Sequence, residues 1–292
     1  MMKQSEILLV GKKIGFIGAG VMGKSMILNL MKKGFEVSVY ARDKNKIEDI
    51  IKSGAIFSDS VSSCVKDKDI VITIVGYPKD VEELYLSKDG ILNSAKDGTY
   101  LIDMTTTSPN LVIDIYNKAK EKNLKFLDAP VSGGDIGAKN ATLSIMVGGE
   151  EKDFNSCKKI FEALGTTIIY EGKVGSGQHT KMANQIAIAG IMAGISEAIA
   201  YGKSTGLDID TMLKSISNGA AQSWHMSNNA PKMNKRDFKP GFYIKHMVKD
   251  LKIANEEVPN LRVLKEVINM YETLERNGDG DLGTQAICKF YE

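Results

Sequence analysis

The sequence predicts an α/β protein in which a doubly wound, mostly parallel sheet is followed by an all-α domain opened by a long helix. Three observations carry this prediction. From Lys13 to about Tyr170, short β-branched runs alternate with longer charged, amphipathic stretches, the pattern of strands joined by helical crossovers. A glycine-rich segment, GFIGAGVMG, follows the first run directly. After Gly177 the β-type runs stop, and HTKMANQIAIAGIMAGISEAIAYGKS continues without a proline to Gly206, a natural helix C-cap.

The elements follow in order. KIGFI is a strand and leads through the glycines into a helix ending near Lys33; EVSVY is the second strand, with a helix from Asn45. DIVITIV precedes a helix near Val81, TYLIDM precedes one from Ser108, and LKFLDAP is the next strand. LSIMVGG and TTIIY flank a helix over 153–163 and extend the sheet. The long helix is placed at 178–204, about 40 Å at 1.5 Å per residue. Helices are expected at 208–217, 244–257, 260–276 and 284–291, with the domains running 1–175 and 176–292.

Bulk properties exclude several classes. A chain of 292 residues, 43% hydrophobic and 25% charged, is globular and long enough for two cores. Lys and Arg total 38 against 36 Asp and Glu, with no basic tract, which argues against a nucleic-acid partner. Cys64, Cys157 and Cys288 are odd in number and widely spaced, and His179, His225 and His246 lack ligand spacing, so neither a disulfide framework nor a metal site is expected. A reducing cytoplasm fits this cysteine usage. The apolar stretch at 7–10 follows Glu6 and runs into a strand and turn; it reads as neither leader nor anchor, and no run approaches the roughly 20 apolar residues of a membrane span.

Gly18, Gly20 and Gly23 stand between a strand and the mouth of a helix. There, bare backbone N–H groups, including those of Val21 and Met22, and the helix dipole can hold a pyrophosphate. This context makes the fold a Rossmann-type dinucleotide-binding domain. Cofactor choice is read after the second strand, at Tyr40, Ala41, Arg42, Asp43 and Lys44. Arg42, supported by Lys44, suits a 2′-phosphate and so NADP. The other reading takes Arg42 as a solvated loop charge and Asp43 as the ribose ligand of NAD.

GFIGAGVMG, DMTTTSP, DAPVSGGDIGAKNATLSIMVGG, GSGQHTKMANQ and FYIKHMVKDLKIA resemble, in order and spacing, the β-hydroxyacid dehydrogenase family over nearly the whole chain. That family includes 3-hydroxyisobutyrate dehydrogenase, tartronate semialdehyde (2-hydroxy-3-oxopropionate) reductase and glyoxylate/succinic semialdehyde reductases. The resemblance implies an NADP(H)-dependent oxidoreductase, NAD being the second choice, acting on a small carboxylate-bearing 3-hydroxy acid or semialdehyde.

Site residues follow in the same terms. Lys181, near the start of the long helix where burial and the helix dipole act to lower an amine pKa, is by resemblance the catalytic acid/base. Asn184 and Gln185 lie three and four residues on and share its face; their amides suit substrate oxygens, although many relatives have asparagine where this chain has Gln185. Ser132, Gly133 and Gly134 expose backbone N–H groups suited to a carboxylate. Thr106, between Thr105 and Thr107, resembles the residue against nicotinamide and substrate. Lys249 and Asp250 resemble a pair closing over the site toward cofactor and substrate respectively, with Phe242 as a wall and Trp224 and Tyr243 as further lining candidates. The small residues of GIMAGISEAIA suit close helix packing, hence a homodimer or homotetramer.

Three rival readings are weaker. A non-catalytic cofactor-binding scaffold and an imine reductase are both expected to lack the lysine. 6-Phosphogluconate dehydrogenases need a larger helical domain than the roughly 115 residues after the boundary.

Overall fold

The structure, a computed structural model, describes residues 11–292, so the stretch at 7–10 lies outside the described residues. The chain divides into two compact units, Met1–Lys181 and Met182–Glu292. The division falls inside the long helix Ser176–Ser204.

The first unit is built on β1 (Lys13–Ile17), β2 (Glu36–Tyr40), β3 (Ile56–Phe57), β4 (Ile70–Thr73), β5 (Tyr100–Asp103), β6 (Lys125–Asp128), β7 (Val131–Ser132), β8 (Leu143–Gly149) and β9 (Gly165–Gly172). Their order is β3-β2-β1-β4-β5-β6-β8-β7, with β9 on β8. The six strands from β3 to β6 pair in parallel, β8 runs antiparallel to β6, and β9 is parallel to β8. The order reverses between β1 and β4, which makes the C-terminal ends of these strands the natural ligand crevice of a doubly wound sheet.

Both faces of the sheet's central strands are buried, which is why these strands read as apolar runs rather than as alternation. Ile14, Phe16, Ile72, Ile102 and Leu127 pack into one core, and Ile17, Val71, Leu101 and Phe126 into the other. The period of two sends neighbours to opposite faces. Cys64 and Cys157 are buried here, and Cys288 in the second unit. Burial pushes the Cys64 and Cys288 thiols up to about 11, which leaves them protonated and inert.

The second unit is helical, its main elements after the long helix being Ile209–Ile216, Ile244–Glu257 and Arg262–Arg276. Its core includes Met192, Ile195, Ile199, Leu251, Tyr271 and Leu274. The long helix starts two residues earlier than expected, and a window of it has mean hydropathy 1.3. By length and composition it is apolar enough to cross a bilayer, contrary to the reading of the sequence. Its buried face instead supplies the core of this unit.

Two further expectations are corrected. The segment from Asn45 begins as a 3₁₀ turn, Lys44–Ile47, before the helix Glu48–Lys52. The segment at 284–291 is wholly 3₁₀, Thr284–Tyr291.

Candidate active site

The glycine turn is shaped by close backbone contacts. Gly18 has φ +105°, and a Cβ there would lie 2.0 Å from the Ile74 carbonyl oxygen; a Cβ on Gly23 would lie 1.9 Å from the Gly18 oxygen. Neither position admits a side chain, because the turn backs onto the end of β4 and onto its own helix. Gly20 differs, with nothing within 4 Å of its missing Cβ. It is the N-cap of the helix Val21–Lys32, and neither a capping side chain nor an acidic residue occupies that helix's first turn. Open space, a positive helix end and the absence of a competing carboxylate fit a dinucleotide pyrophosphate held against Gly20, Val21 and Met22.

At the end of β2, Arg42 is exposed and its Nη2 lies 2.7 Å from Asp80 Oδ1. Asp80 Oδ2 in turn accepts the Tyr77 N–H at 3.1 Å, capping the helix Pro78–Leu86. Asp43 accepts the Asn45 N–H through Oδ1 at 3.0 Å, and the Lys44 ammonium lies 4.8 Å from the Phe57 ring centre. Arg42 lines an open pocket of about 260 Å³ with Tyr40, Ser60 and Glu83.

A polar network runs along the C-terminal ends of β4, β5 and β6. Asp103, fully buried at the end of β5, accepts the Thr73 hydroxyl at 2.8 Å and the Thr105 N–H at 3.1 Å through Oδ1. Thr73 receives the hydroxyl of buried Tyr85 at 2.9 Å. Burial, opposed by these bonds and augmented by the charge of Asp128, pushes the Asp103 carboxyl up to about 6. Thr105 Oγ1 accepts the Val75 N–H at 3.0 Å, joining the loops after β4 and β5. Asp128 accepts the Gly175 and Gln178 N–H groups at 2.8 and 2.9 Å, so a buried carboxylate caps the long helix. Burial raises the Asp128 carboxyl, against the pull of those two amides.

Lys181 sits in the second turn of this helix and is 6% exposed. Of the three threonines after β5, Thr105 and Thr107 are buried and Thr106 keeps partial exposure. Ser132 ends β7, and Gly133 and Gly134 follow with φ +129° and +62°, a pair of conformations that side chains strain to adopt. They open the short helix Gly134–Asn140, which packs on Val21–Lys32 and accepts an Asn29 amide hydrogen at the Ala138 carbonyl, 2.7 Å away. The carboxylate-binding candidate is thereby tied to the helix that the dinucleotide turn opens.

Within the second unit, Asn184 donates to Gln185 Oε1 at 2.8 Å and Gln185 donates to Asp250 Oδ2 at 2.7 Å. Lys249 Nζ lies 2.9 Å from Asp250 Oδ1 as an ion pair. Gln185 and Asp250 are 2% and 1% exposed, so their side chains are engaged with protein, while Asn184 and Lys249 stay partly exposed. Phe242 is half-buried with its ring centre 6.1 Å from that of His246. Burial, and then the charge of Lys249, hold the His246 imidazole below its ordinary value. Tyr243 is half-buried as the N-cap of Ile244–Glu257, whereas Trp224 is 64% exposed.

Sequence reasoning missed Asp80, Asp103, Asp128, Gln178 and His246. A signal was present for two of them. LIDM and FLDAP each end an apolar strand on an aspartate, and a carboxylate fully buried in such a place requires dedicated partners.

The NAD-binding domain model of 6-phosphogluconate dehydrogenase matches residues 13–172, and the NAD-binding model of NADP-dependent 3-hydroxyisobutyrate dehydrogenase matches 175–291. The chain is 52% identical over 287 residues to an uncharacterized oxidoreductase of Bacillus subtilis, covering 96% of this chain and 99% of that one. It is 43% identical to a probable mitochondrial 3-hydroxyisobutyrate dehydrogenase-like protein of Arabidopsis thaliana, over 94% of this chain and 84% of that one. Among solved structures, Mycobacterium tuberculosis 3-hydroxyisobutyrate dehydrogenase with L-serine superposes with a TM-score of 0.88 at 28% identity, covering 96% and 98% of the two chains. The fold, the glycine turn and these likenesses define a nicotinamide-dependent oxidoreductase acting on hydroxy acids. The chain belongs to the β-hydroxyacid dehydrogenase family.

Proposed function

We propose that the protein is an NADP(H)-preferring dehydrogenase/reductase that interconverts a small 3-hydroxy acid and its semialdehyde, of the 3-hydroxyisobutyrate or tartronate semialdehyde type, with Lys181 as general acid/base. The observation that carries this reading is the burial of Lys181 on a helix whose first turn is anchored to the strand ends beside Thr106. When bound, the dinucleotide accepts or supplies a hydride at its nicotinamide ring.

Lys181 gives a proton to the substrate carbonyl oxygen in reduction, or takes one from the hydroxyl in oxidation. The backbone N–H groups of residues 132–134 hold the substrate carboxylate, and Thr106 faces the reacting carbon and the cofactor ring. Gln185 and Asp250 orient Asn184 and Lys249. With Nδ2 engaged by Gln185, Asn184 offers Oδ1 to a substrate hydroxyl or to the Lys181 ammonium, and Lys249 faces the cofactor. Phe242 walls the substrate site. Arg42 at the end of β2 supports the NADP preference, since it matches a 2′-phosphate in charge and geometry. The reading places a homodimer or homotetramer in the cytoplasm, where the buried thiols stay reduced.

The test is a panel of methylmalonate semialdehyde, tartronate semialdehyde, glyoxylate and succinic semialdehyde with NADPH and NADH, run on the wild type and on Lys181→Ala. The wild type should favour the first two substrates and NADPH. The variant should bind cofactor normally and lose about 10²-fold to 10⁴-fold in kcat, the usual contribution of a positioned acid/base. A near-normal kcat in the variant refutes the assignment of Lys181.

A further inference from the structure

Gln178 is fully buried, three residues before Lys181, and its carboxamide grips the backbone on both sides of Thr106. Oε1 accepts the Thr107 N–H at 3.0 Å, and Nε2 donates to the Thr105 carbonyl at 2.8 Å. A side-chain amide thus pairs with the loop much as a neighbouring strand would. The backbone on either side of Thr106 is fixed, and its side chain is left outside the clamp. The Gln178 N–H is held in turn by Asp128 Oδ2 at 2.9 Å. Three residues span about 4.5 Å of helix, so the turn that grips the threonine loop runs directly into the turn bearing Lys181.

From this geometry we infer that Gln178 is a positioning residue that sets Thr106 relative to the Lys181 ammonium, so that the two meet one reacting carbon in register. The inference rests on the acid/base reading of Lys181 given above. It assigns Gln178 no contact with substrate or cofactor. A glutamine is suited to the role because one planar group supplies a donor and an acceptor at the spacing of a peptide; no carboxylate and no thioether does both.

The deciding experiment compares the wild type with Gln178→Met and Gln178→Glu, measuring kcat, KM and cofactor Kd well below each protein's Tm. Gln178→Met keeps the length and removes both bonds. It should lower kcat by about tenfold to a hundredfold, the scale of an ångström-level misplacement, while cofactor Kd stays within about twofold. Gln178→Glu keeps the acceptor for Thr107 but lacks the donor for Thr105 while ionised. Its kcat relative to wild type at the same pH should therefore recover between pH 8 and pH 5, as the carboxyl gains the missing proton. A merely structural glutamine would lower Tm without that pH-linked recovery.

If Gln178→Met does not fold, Gln178→Glu decides. A wild-type kcat in either folded variant, or a Gln178→Glu loss that is flat with pH, overturns the inference. A wild type inactive on every substrate of the panel overturns the proposed reaction and this inference with it, whereas an active wild type with an equally active variant overturns the inference alone.

Discussion

On the proposed reading, cofactor preference turns on Arg42, where Asp80 and a 2′-phosphate would compete for one guanidinium. In the structure Arg42 is paired with Asp80 at 2.7 Å, with side-chain exposures of 73% and 23%. An ion pair that open to solvent is worth about 0.2 to 1 kcal/mol. A bidentate, charge-assisted contact with a 2′-phosphate is worth about 1.5 to 3 kcal/mol. The phosphate would therefore win by about 0.5 to 2.8 kcal/mol after the Asp80 pair is subtracted.

Arg42→Ala should reduce kcat/KM for NADPH by about twofold to a hundredfold and leave NADH unchanged, since each 1.4 kcal/mol is a factor of ten. Asp80→Asn is the cleaner partner variant, because an amide oxygen can still accept the Tyr77 N–H that now caps the helix at 3.1 Å. It should raise kcat/KM for NADPH by at most about fivefold and leave NADH unchanged. Initial rates with both cofactors at fixed saturating substrate measure both effects. Equal losses for NADPH and NADH in Arg42→Ala, or no loss, would refute the reasoning and return the selectivity to Asp43.

Two further outcomes follow from the buried acids and from the long helix. The Asp103 carboxyl is pushed up from 3.8 to about 6, so the folded state favours its protonated form. The associated stability is fully present below the unfolded value near 4 and is lost as pH rises through about 6, an effect of about 3 kcal/mol. Chemical denaturation at pH 4.5 and pH 7.5 should show that loss in the wild type and a flatter dependence in Asp103→Asn; parallel curves would remove Asp103 as the cause. On the long helix, Ala183, Ala187, Ile191 and Gly194 are exposed at spacings of four, four and three. Light scattering should give two or four times the 31.9 kDa chain, and a single-chain mass at micromolar concentration would count against the oligomer.

The sheet was legible because its central strands are buried on both faces, so KIGFI, DIVITIV and LKFLDAP read as apolar runs without needing a register. LSIMVGG coincides with β8 at both ends. β3 and β7 were not legible. Each has two residues, too few to show any period, and β3 exists only through its pairing of Ser38 with Ile56 and Val39 with Phe57. The helices Trp224–Asn228 and Ala230–Asn234 were missed for a related reason: each is barely one turn long and Pro231 stands at the start of the second. The segment at 284–291 buries five consecutive residues, Thr284 to Cys288, and no sequence pattern distinguishes a 3₁₀ ladder from an α ladder over two turns.

The site divides along the same line between local pattern and distant pairing. Lys181, the glycine turn and the SGG segment announce themselves through neighbours in sequence. The network that would hold them in place joins Asp128 to Gly175 across 47 positions and Gln178 to Thr105 across 73, separations no spacing rule reaches. Gln185 shows how a local side-chain choice is explained by a distant partner. Asparagine, the alternative carboxamide side chain, is shorter by one methylene, about 1.5 Å. The present bond from Gln185 Nε2 to Asp250 is 2.7 Å, so an asparagine would leave a gap of about 4 Å unless the helix Ile244–Glu257 moved inward. The longer side chain is therefore matched to the position of Asp250, and the amide with access to solvent at this turn belongs to Asn184. Within the proposed reading, Gln185 acts by holding Asn184 and Asp250 rather than by direct contact with substrate.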